Sequence, residues 1–381
     1  MKEYRLGDII DIKHGYAFDG EHIVQDDNGI VLVTPGNFRI GGGFQEEKCK
    51  FFTGEIPDEF ILSSGDFIVT MTDLSKEIDT LGYSAIVPES SRTYLHNQRI
   101  GLVSFKNNEC YPGYIYFLMR THHYQRSIAN TSTGATVHHT SPTKIYDYRF
   151  VAPSYEEQQR IAEYLFSYER LIENNQKQIK MLEEAAQRLY KEWFVDLRFP
   201  GHETTPIVDG VPEGWFTAAV TDLLEIRYGR DHKALVDGEI PAYGSGGITR
   251  RVNKALYSGE SVLIPRKGSL NNIILVRGDF WTIDTMFYSI PKRPNIVKYV
   301  YLYLSGVDMY AMNIGAAVPS MTVKILEGMK LLCPTDHVLE SFEETVRPYF
   351  DMIELLKNKN VLLAEARDKL LPKLMSGEIK V

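Results

Sequence analysis

Residues 154–194 read SYEEQQRIAEYLFSYERLIENNQKQIKMLEEAAQRLYKEWF and contain neither glycine nor proline. Ser154 followed by Glu157 has the pattern of a capping box, so we expect a helix that begins here and continues toward Phe199. Its core positions alternate steps of four and three residues, and this average spacing of about 3.5 residues indicates a coiled coil. These positions are Ile161, Leu165, Tyr168, Ile172, Asn175, Ile179, Leu182, Ala186, Leu189 and Trp193.

A second copy of this helix follows near the C-terminus, because positions 181 residues apart match from residue 134 to residue 189. Gly134, Ala135, Val137 and Pro153, for example, recur as Gly315, Ala316, Val318 and Pro334. The second set of core positions is Phe342, Val346, Tyr349, Ile353, Leu356, Asn360, Leu363, Arg367, Leu370 and Leu374. A gapless repeat indicates two copies of one unit, each a globular head followed by a helical rod.

The two rods complement each other when they are aligned antiparallel, so that the numbers of paired residues add to 535. Ile161 then faces Leu374, and the polar residues Asn175 and Asn360 share one layer. A buried Asn pair fixes register at some loss of stability. Further pairs are Ile172 with Leu363, Ile179 with Leu356, and Trp193 with Phe342. The alternative is that each rod packs only on its own head.

Two residues of the second rod depart from a simple apolar pattern. Arg367 falls opposite Tyr168, where the guanidinium can stack on the ring. Pro348 lacks an amide donor, so we expect a kink or an interruption of the helix before Tyr349.

The repeat divides the chain into a first head (residues 1–152), a first rod (153–210), a second head (211–333) and a second rod (334–381). In each head, β-rich runs alternate with short helical stretches, which predicts an α+β fold. The predicted strands are residues 30–38, 65–72, 83–90 and 99–105, then 261–269, 273–278 and 280–290. We therefore expect two similar α+β heads separated by two long helices that form an antiparallel coiled coil with pseudo-two-fold symmetry.

The net charge of −8 is unfavourable for binding to phosphate groups. The charge is unevenly distributed: residues 1–150 carry 14 basic and 19 acidic side chains, whereas the second head carries 14 basic and 11 acidic ones. Local patches or a partner chain must therefore supply much of the electrostatic attraction in any complex with nucleic acid.

Polar loops between the strands hold the candidate DNA contacts, because Arg can read guanine, Asn can read adenine, and Gly and Ser allow close approach to phosphate. In the first head the candidates are Lys76, Arg92, His96, Asn97, Gln98, Arg99, Ser132, Thr133, Gly134, His138 and Lys144. In the second head they are Tyr243, Ser245, Arg250, Arg251, Arg266, Lys267, Ser269, Asn271 and Lys324. Each of them alone is also consistent with an ordinary solvated loop.

Motifs of several enzyme classes are missing from the sequence. It has no D/N/S-P-P-Y/F/W tetrapeptide of amino-methyltransferases and no GxxxxGK(S/T) loop of motor proteins. The pairs His122–His123 and His138–His139 lack an acidic or Cys ligand at suitable spacing, so we expect no metal site. The three cysteines form no CxxC pair, and there is no signal peptide and no run of about 18 apolar residues, so we expect a cytoplasmic protein without membrane spans.

Six strings, spread over the whole chain, point to one family. They are IKHGYAFDG at 12–20, KEWFVD at 191–196, YGSGGI at 243–248, RKGS at 266–269, FWTIDTMFY at 280–288 and LLPKLMSGEI at 370–379. Together they resemble the specificity (S) subunit of type I restriction-modification systems.

The resemblance implies that each head is a target-recognition domain for one half of a bipartite, asymmetric double-stranded DNA sequence, and that the rods set the gap. It also implies two partner modification subunits, methyltransferases that bind S-adenosylmethionine and methylate adenine, and restriction subunits that join this core. This chain itself is then expected to hold no cofactor and to catalyse no reaction. The residues alone leave two alternatives open: a self-contained DNA-modifying enzyme with a diverged motif, and a two-headed adaptor for protein partners.

Overall fold

The computed structural model describes residues 2–313 and 320–381 and divides into two compact units. The first unit combines Met1–Asn174 with Lys359–Val381, and the second unit is Asn175–Asn358. Each unit therefore contains one head together with parts of both long helices. The division into four segments stays a prediction, and the repeat positions Gly315, Ala316 and Val318 lie outside the described residues.

The first head contains two main sheets. One is antiparallel with the order β2-β11-β7-β9, and the other has the order β3-β5-β4-β10-β6 with β4 and β10 parallel. The strands are β1 (Lys2–Arg5), β2 (Ile10–His14), β3 (Ile23–Val24), β4 (Ile30–Val33), β5 (Lys50–Phe52), β6 (Ile61–Leu62), β7 (Phe67–Thr70), β8 (Thr72–Asp73), β9 (Ser84–Ile86), β10 (Thr93–His96), β11 (Ile100–Phe105), β12 (His138–His139) and β13 (Arg149–Ala152). The helices are α1 (Leu6–Ile9), α2 (Pro112–Leu118), α3 (His122–Asn130) and α4 (Pro142–Tyr146), followed by the long helix α5 (Tyr155–Tyr190).

The second head repeats this arrangement. Its antiparallel sheet has the order β17-β24-β21-β22, and its mixed sheet has the order β19-β18-β23-β20 with β18 and β23 parallel. The strands are β14 (Ile207–Val208), β15 (Val211–Pro212), β16 (Phe216–Ala219), β17 (Leu224–Tyr228), β18 (Asp237–Gly244), β19 (Gly247–Val252), β20 (Tyr257–Ser258), β21 (Ser261–Pro265), β22 (Ile274–Val276), β23 (Asp279–Thr282), β24 (Met286–Pro291) and β25 (Lys330–Cys333). The helices are α6 (Val220–Leu223), α7 (Val297–Ser305) and α8 (Val323–Gly328), followed by the long helix α9 (Asp336–Met375). The prediction of two similar α+β heads is confirmed.

In the first unit, parts of α5 and α9 share one core with the head. Ile161 and Leu165 of α5 are buried in the same cluster as Leu374 of α9. Arg367 Nη1 also lies 3.2 Å from Glu169 Oε1. Residue numbers fall along α9 as they rise along α5, so the two helices are antiparallel in this unit.

The second unit shows the same antiparallel pairing. Lys357 Nζ lies 3.3 Å from Glu183 Oε1, and the ring centroids of Trp193 and Phe342 are 5.6 Å apart. The second of these contacts is a pair expected from the sequence. The Asn175–Asn360 layer joins residues of different units and stays a prediction.

Three details of the rods differ from expectation. Helix α9 continues through Pro348 without interruption, because the buried residues Val346 and Phe350 anchor the helix on both sides of the exposed proline. Arg367 is held by Glu169 and thus makes an ion pair where we expected a ring stack on Tyr168. The α-helical part of the first rod ends at Tyr190, and one π turn, Lys191–Val195, continues it short of Phe199.

The start of the first rod is as expected, since the Glu157 amide donates to Ser154 Oγ at 3.4 Å.

Along residues 2–313 and 320–381, no helix combines the length and the apolar character needed to cross a bilayer.

Candidate nucleic-acid interface

Main-chain hydrogen bonds tie distant loops of the first head together at Met71. The Met71 amide donates to the Arg99 carbonyl at 2.9 Å, and the Met71 carbonyl accepts from the Thr140 amide at 3.0 Å. The Tyr16 amide donates to the His96 carbonyl at 2.8 Å. We call this network the first junction. It brings most of the predicted contact residues of this head into one neighbourhood.

The second head contains the same network, which we call the second junction. The Arg266 amide donates to the Thr285 carbonyl at 2.8 Å, and the Arg266 carbonyl accepts from the Met321 amide at 2.9 Å. The Arg230 amide donates to the Thr282 carbonyl at 2.8 Å. Each residue of the first junction therefore has an equivalent in the second. Met71 corresponds to Arg266, Arg99 to Thr285, Thr140 to Met321, and Tyr16 to Arg230.

A glycine allows the backbone to close at each junction. A Cβ atom on Gly15 would overlap the carbonyl oxygen of Asn97, and a Cβ atom on Gly229 would overlap that of Ile283. Neither glycine has a positive φ. Glycine is therefore required at these two positions because two chain segments approach so closely that a side chain does not fit between them.

Asp73 organises the loop that carries Lys76. Its carboxylate accepts hydrogen bonds from the amides of Ser75 and Thr80, each at 2.6 Å, and from the Leu81 amide at 3.0 Å. Burial alone would raise the pKa of Asp73, but the hydrogen bonds from Thr80 and Ser75 outweigh it and lower that pKa below its usual value. Lys76 lies exposed within this ordered loop.

A hairpin at residues 131–140 lies beside the Lys76 loop. His138 pairs with Asp73 across a short antiparallel ladder, and the Thr133 and His139 amides exchange hydrogen bonds with each other's carbonyls. The predicted residues Ser132, Thr133, Gly134 and His138 thus sit on one structured hairpin. Lys144 follows it and donates to the Thr131 carbonyl.

In the second head, the loop after Tyr243 meets the loop after Arg266. Asn272 Nδ2 donates to the Ser245 carbonyl at 2.8 Å. The Asn271 side chain stabilises the loop, because it donates to Asp308 Oδ1 at 3.1 Å and accepts from the Met309 amide at 2.7 Å. Lys267, Ser269 and Lys324 are exposed.

Four predicted contact arginines already have protein partners. Two of them form ion pairs: Arg92 with Asp27 and Glu46, and Arg250 with Asp237. The other two donate to carbonyl groups, Arg251 to that of Glu239 and Arg266 to that of Asp284, and Arg266 also stacks on Tyr228. His96 and Asn97 are buried, with His96 Nε2 2.9 Å from the Ile100 carbonyl oxygen. Burial lowers the pKa of His96 and favours its neutral form. Base contact by any of these residues stays a prediction.

Sequence reasoning missed Tyr16 and Arg230, which directly follow the two junction glycines. Tyr16 is 43% exposed, and Arg230 is exposed. A glycine that ends the first long strand of each head, at Gly15 and Gly229, was the available signal. In the part of the chain that the structure describes, no cluster of His, Cys, Asp and Glu is suited to a metal ion.

Residues 1–184 match the family model for the type I restriction modification DNA specificity domain. The chain is 26% identical over 300 residues to the type I restriction enzyme MjaIX specificity subunit of Methanocaldococcus jannaschii, covering 70% of this chain and 69% of that protein. It is 22% identical over 190 residues to the MjaVIII specificity subunit of the same organism, covering 49% of this chain and 43% of that protein.

A crystal structure of a type I restriction-modification S subunit from M. genitalium shares the fold, with a TM-score of 0.58 at 16% identity, over 98% of this chain and 95% of that one. The DNA specificity domain, the relatives and the shared fold agree with the resemblance that the sequence motifs indicated. Residues 1–184 therefore carry a type I restriction modification DNA specificity domain, and the chain is similar over 70% of its length to a type I specificity subunit, which supports recognition of a DNA target as its function.

Proposed function

We propose that each head reads one half of a bipartite double-stranded DNA target, while the two rods set the gap between the halves and dock two methyltransferase subunits. The pair of junctions carries this proposal. Both have the same main-chain hydrogen bonds, yet they present different side chains at corresponding places, such as Tyr16 and Arg230. Two sites with one geometry and different surfaces are suited to two different base sequences.

The charges at the junctions support a role for partner subunits. Within residues 2–313 and 320–381, Lys76 and Arg99 at the first junction and Arg230, Lys267 and Lys324 at the second make no ion pair. A few free cations give weak binding at physiological salt, because affinity rises with the number of phosphates neutralised. We therefore expect the isolated chain to bind DNA poorly.

The modification subunits complete the complex in this proposal. They bind S-adenosylmethionine, methylate adenine and supply further phosphate-facing charge, and restriction subunits join the core. The chain acts in the cytoplasm without a cofactor or catalytic activity of its own. Incubation of the purified chain with DNA, S-adenosylmethionine and Mg²⁺ tests the enzyme alternative, since methylation or cleavage by the chain alone would contradict the proposal.

An exchange of heads tests the division of labour. Residues 1–152 are replaced by the first head of another specificity subunit, and methylated sites are mapped in the complex with modification subunits. We expect one half of the target to change and the other half to stay. A change in both halves would refute independent reading.

Rod length is tested by inserting seven residues into each rod at paired positions, which adds about 10 Å at 1.5 Å per residue. We expect a longer gap between unchanged half-sites. An unchanged gap would count against the spacer role.

A further inference from the structure

We propose that Tyr16 and Arg230 contact bases and determine specificity, Tyr16 in the half-site of the first head and Arg230 in that of the second. This inference rests on the function proposed above and goes beyond it by assigning one equivalent reading position to each head. Arg230 is assigned to a guanine, and Tyr16 to the methyl group of a thymine.

The two residues hold the same place in the backbone. Each follows the glycine that permits closure of its junction, Gly15 or Gly229. Each donates its amide to the last residue of the strand that pairs parallel to a neighbour, His96 or Thr282. The main chain is therefore fixed in both heads, whatever side chain is attached at this position.

Tyr16 presents a ring that is already oriented. The ring lies 5.1 Å from that of Phe18 and 5.2 Å from that of Phe60, yet 43% of the residue remains exposed. Its carbonyl accepts from the Gln98 amide at 2.9 Å, so a predicted contact residue lies directly beside it. A rigid apolar surface of this kind recognises the thymine methyl group in the major groove.

Arg230 presents an exposed guanidinium on a fixed backbone. Its carbonyl accepts from Trp281 Nε1 at 2.9 Å, which holds the residue from the other side. Four other arginines in this head form ion pairs, namely Arg250, Arg277, Arg293 and Arg227, which lies 2.5 Å from Glu225 and is only three residues away. Among the described residues Arg230 has no acidic partner, so both of its terminal nitrogens can donate to one base. Guanine offers the matching pair of acceptors, O6 and N7.

The test uses the full chain assembled with its modification subunits and a pool of duplex DNA with randomised positions. DNA retained by the complex is sequenced for wild type, R230A, R230K, R230Q and Y16A. We expect R230A and R230Q to lose the preference for guanine at one position of one half-site by about tenfold or more. R230K keeps the charge but lacks the fork of donors, so it recovers affinity more than specificity. We expect Y16A to relax one position in the other half-site.

The matched controls are R227A, an arginine of the preceding strand β17 that is already paired, and Y155A, a tyrosine of similar exposure at the start of α5. Both should select the wild-type sequence. Unchanged selection by R230A and Y16A, or a change of both half-sites by either one, would overturn the inference. If the wild-type complex itself selects no bipartite sequence, the proposed function fails, and this inference fails with it.

Discussion

Lys298 Nζ lies 2.8 Å from Glu343 Oε1, and both side chains are buried in the second unit. Lys298 is on α7 of the head and Glu343 is on α9, so this ion pair joins head and rod. Glu260 places a second carboxylate 2.6 Å from the same ammonium, and Arg347 Nε lies 3.2 Å from Glu343. The charges of Lys298 and Glu343 are largely removed from water, which makes each of them dependent on its partners.

Replacing Lys298 by Met should therefore destabilise the protein strongly. The variant leaves Glu343 and Glu260 without their shared cation, at a cost of about 3–5 kcal/mol in the free energy of unfolding. Urea denaturation measures this value. The exposed pair of Lys357 and Glu183 is the control, and K357A should cost less than about 1 kcal/mol. Equal losses in the two variants would contradict the role assigned to the buried pair.

Alanine at either junction glycine should force two chain segments apart. For G15A and G229A we expect a loss of about 1–3 kcal/mol in the free energy of unfolding, because the added Cβ meets a carbonyl oxygen that cannot yield easily. Gly20 and Gly246 have open space around the corresponding position, so G20A and G246A serve as controls. The same denaturation experiment applies, and junction variants as stable as their controls would show that the close approach is not required.

Replacement of Pro348 by Ala should stabilise α9. The variant restores the amide donor within a continuous helix and removes the clash of the ring with the preceding turn, which we expect to add about 1–2 kcal/mol. Pro153 precedes helix α5, which begins at Tyr155, so P153A should change stability little. Calorimetry compares the melting temperatures, and a lower value for P348A than for wild type would contradict the expectation.

Stability should fall at mildly acidic pH because of His96. Its pKa is lowered in the folded protein by burial, so the unfolded chain binds a proton first as the pH falls below about 6.5. The free energy of unfolding then decreases until the pH reaches the lowered pKa of the folded state. In H96Q the decrease between pH 6.5 and lower values should be smaller, with the exposed His122→Gln variant as control. An identical pH dependence in H96Q and wild type would exclude His96 as the cause.

Lys267 and Lys324 should contribute to DNA affinity without changing specificity. Each is exposed and unpaired among the described residues, so K267A and K324A should each reduce the slope of log affinity against log salt by about one for the assembled complex. R277A is the control, because Arg277 is already paired with Asp351 at 2.5 Å. Titration of DNA at several salt concentrations measures the slopes, and equal slopes in all variants would place both lysines outside the interface.

The rods were the most predictable part of the fold, because the regular spacing of apolar residues along a helix is visible directly in the sequence. Ile161, Ile179 and Trp193 are buried as their spacing indicated. Pro348 was misjudged because the local cost of a proline is visible in sequence, whereas the packing of Val346 and Phe350 that compensates for it is not.

At the candidate interface, the sequence indicates which loops are polar but not the contacts of their individual side chains, and contact of these loops with DNA stays a prediction. Lys76 and Lys267 are exposed as expected, but sequence could not show that Arg92 pairs with Asp27 or that His96 is buried. Those facts depend on contacts between residues far apart in the chain. The sequence did not indicate Tyr16, because its position is fixed by a main-chain hydrogen bond to a distant strand, and such a bond does not depend on the residue types involved.

The hydrogen bonds of the first and second junctions join peptide groups, so apart from Gly15 and Gly229 they do not depend on which side chain stands at an exposed position such as Tyr16 or Arg230. A substitution at Tyr16 or Arg230 can therefore alter the surface chemistry of a head while its framework persists. If each head reads one half-site as proposed, related chains can acquire new targets through a few point changes in one head at a time while the fold is retained.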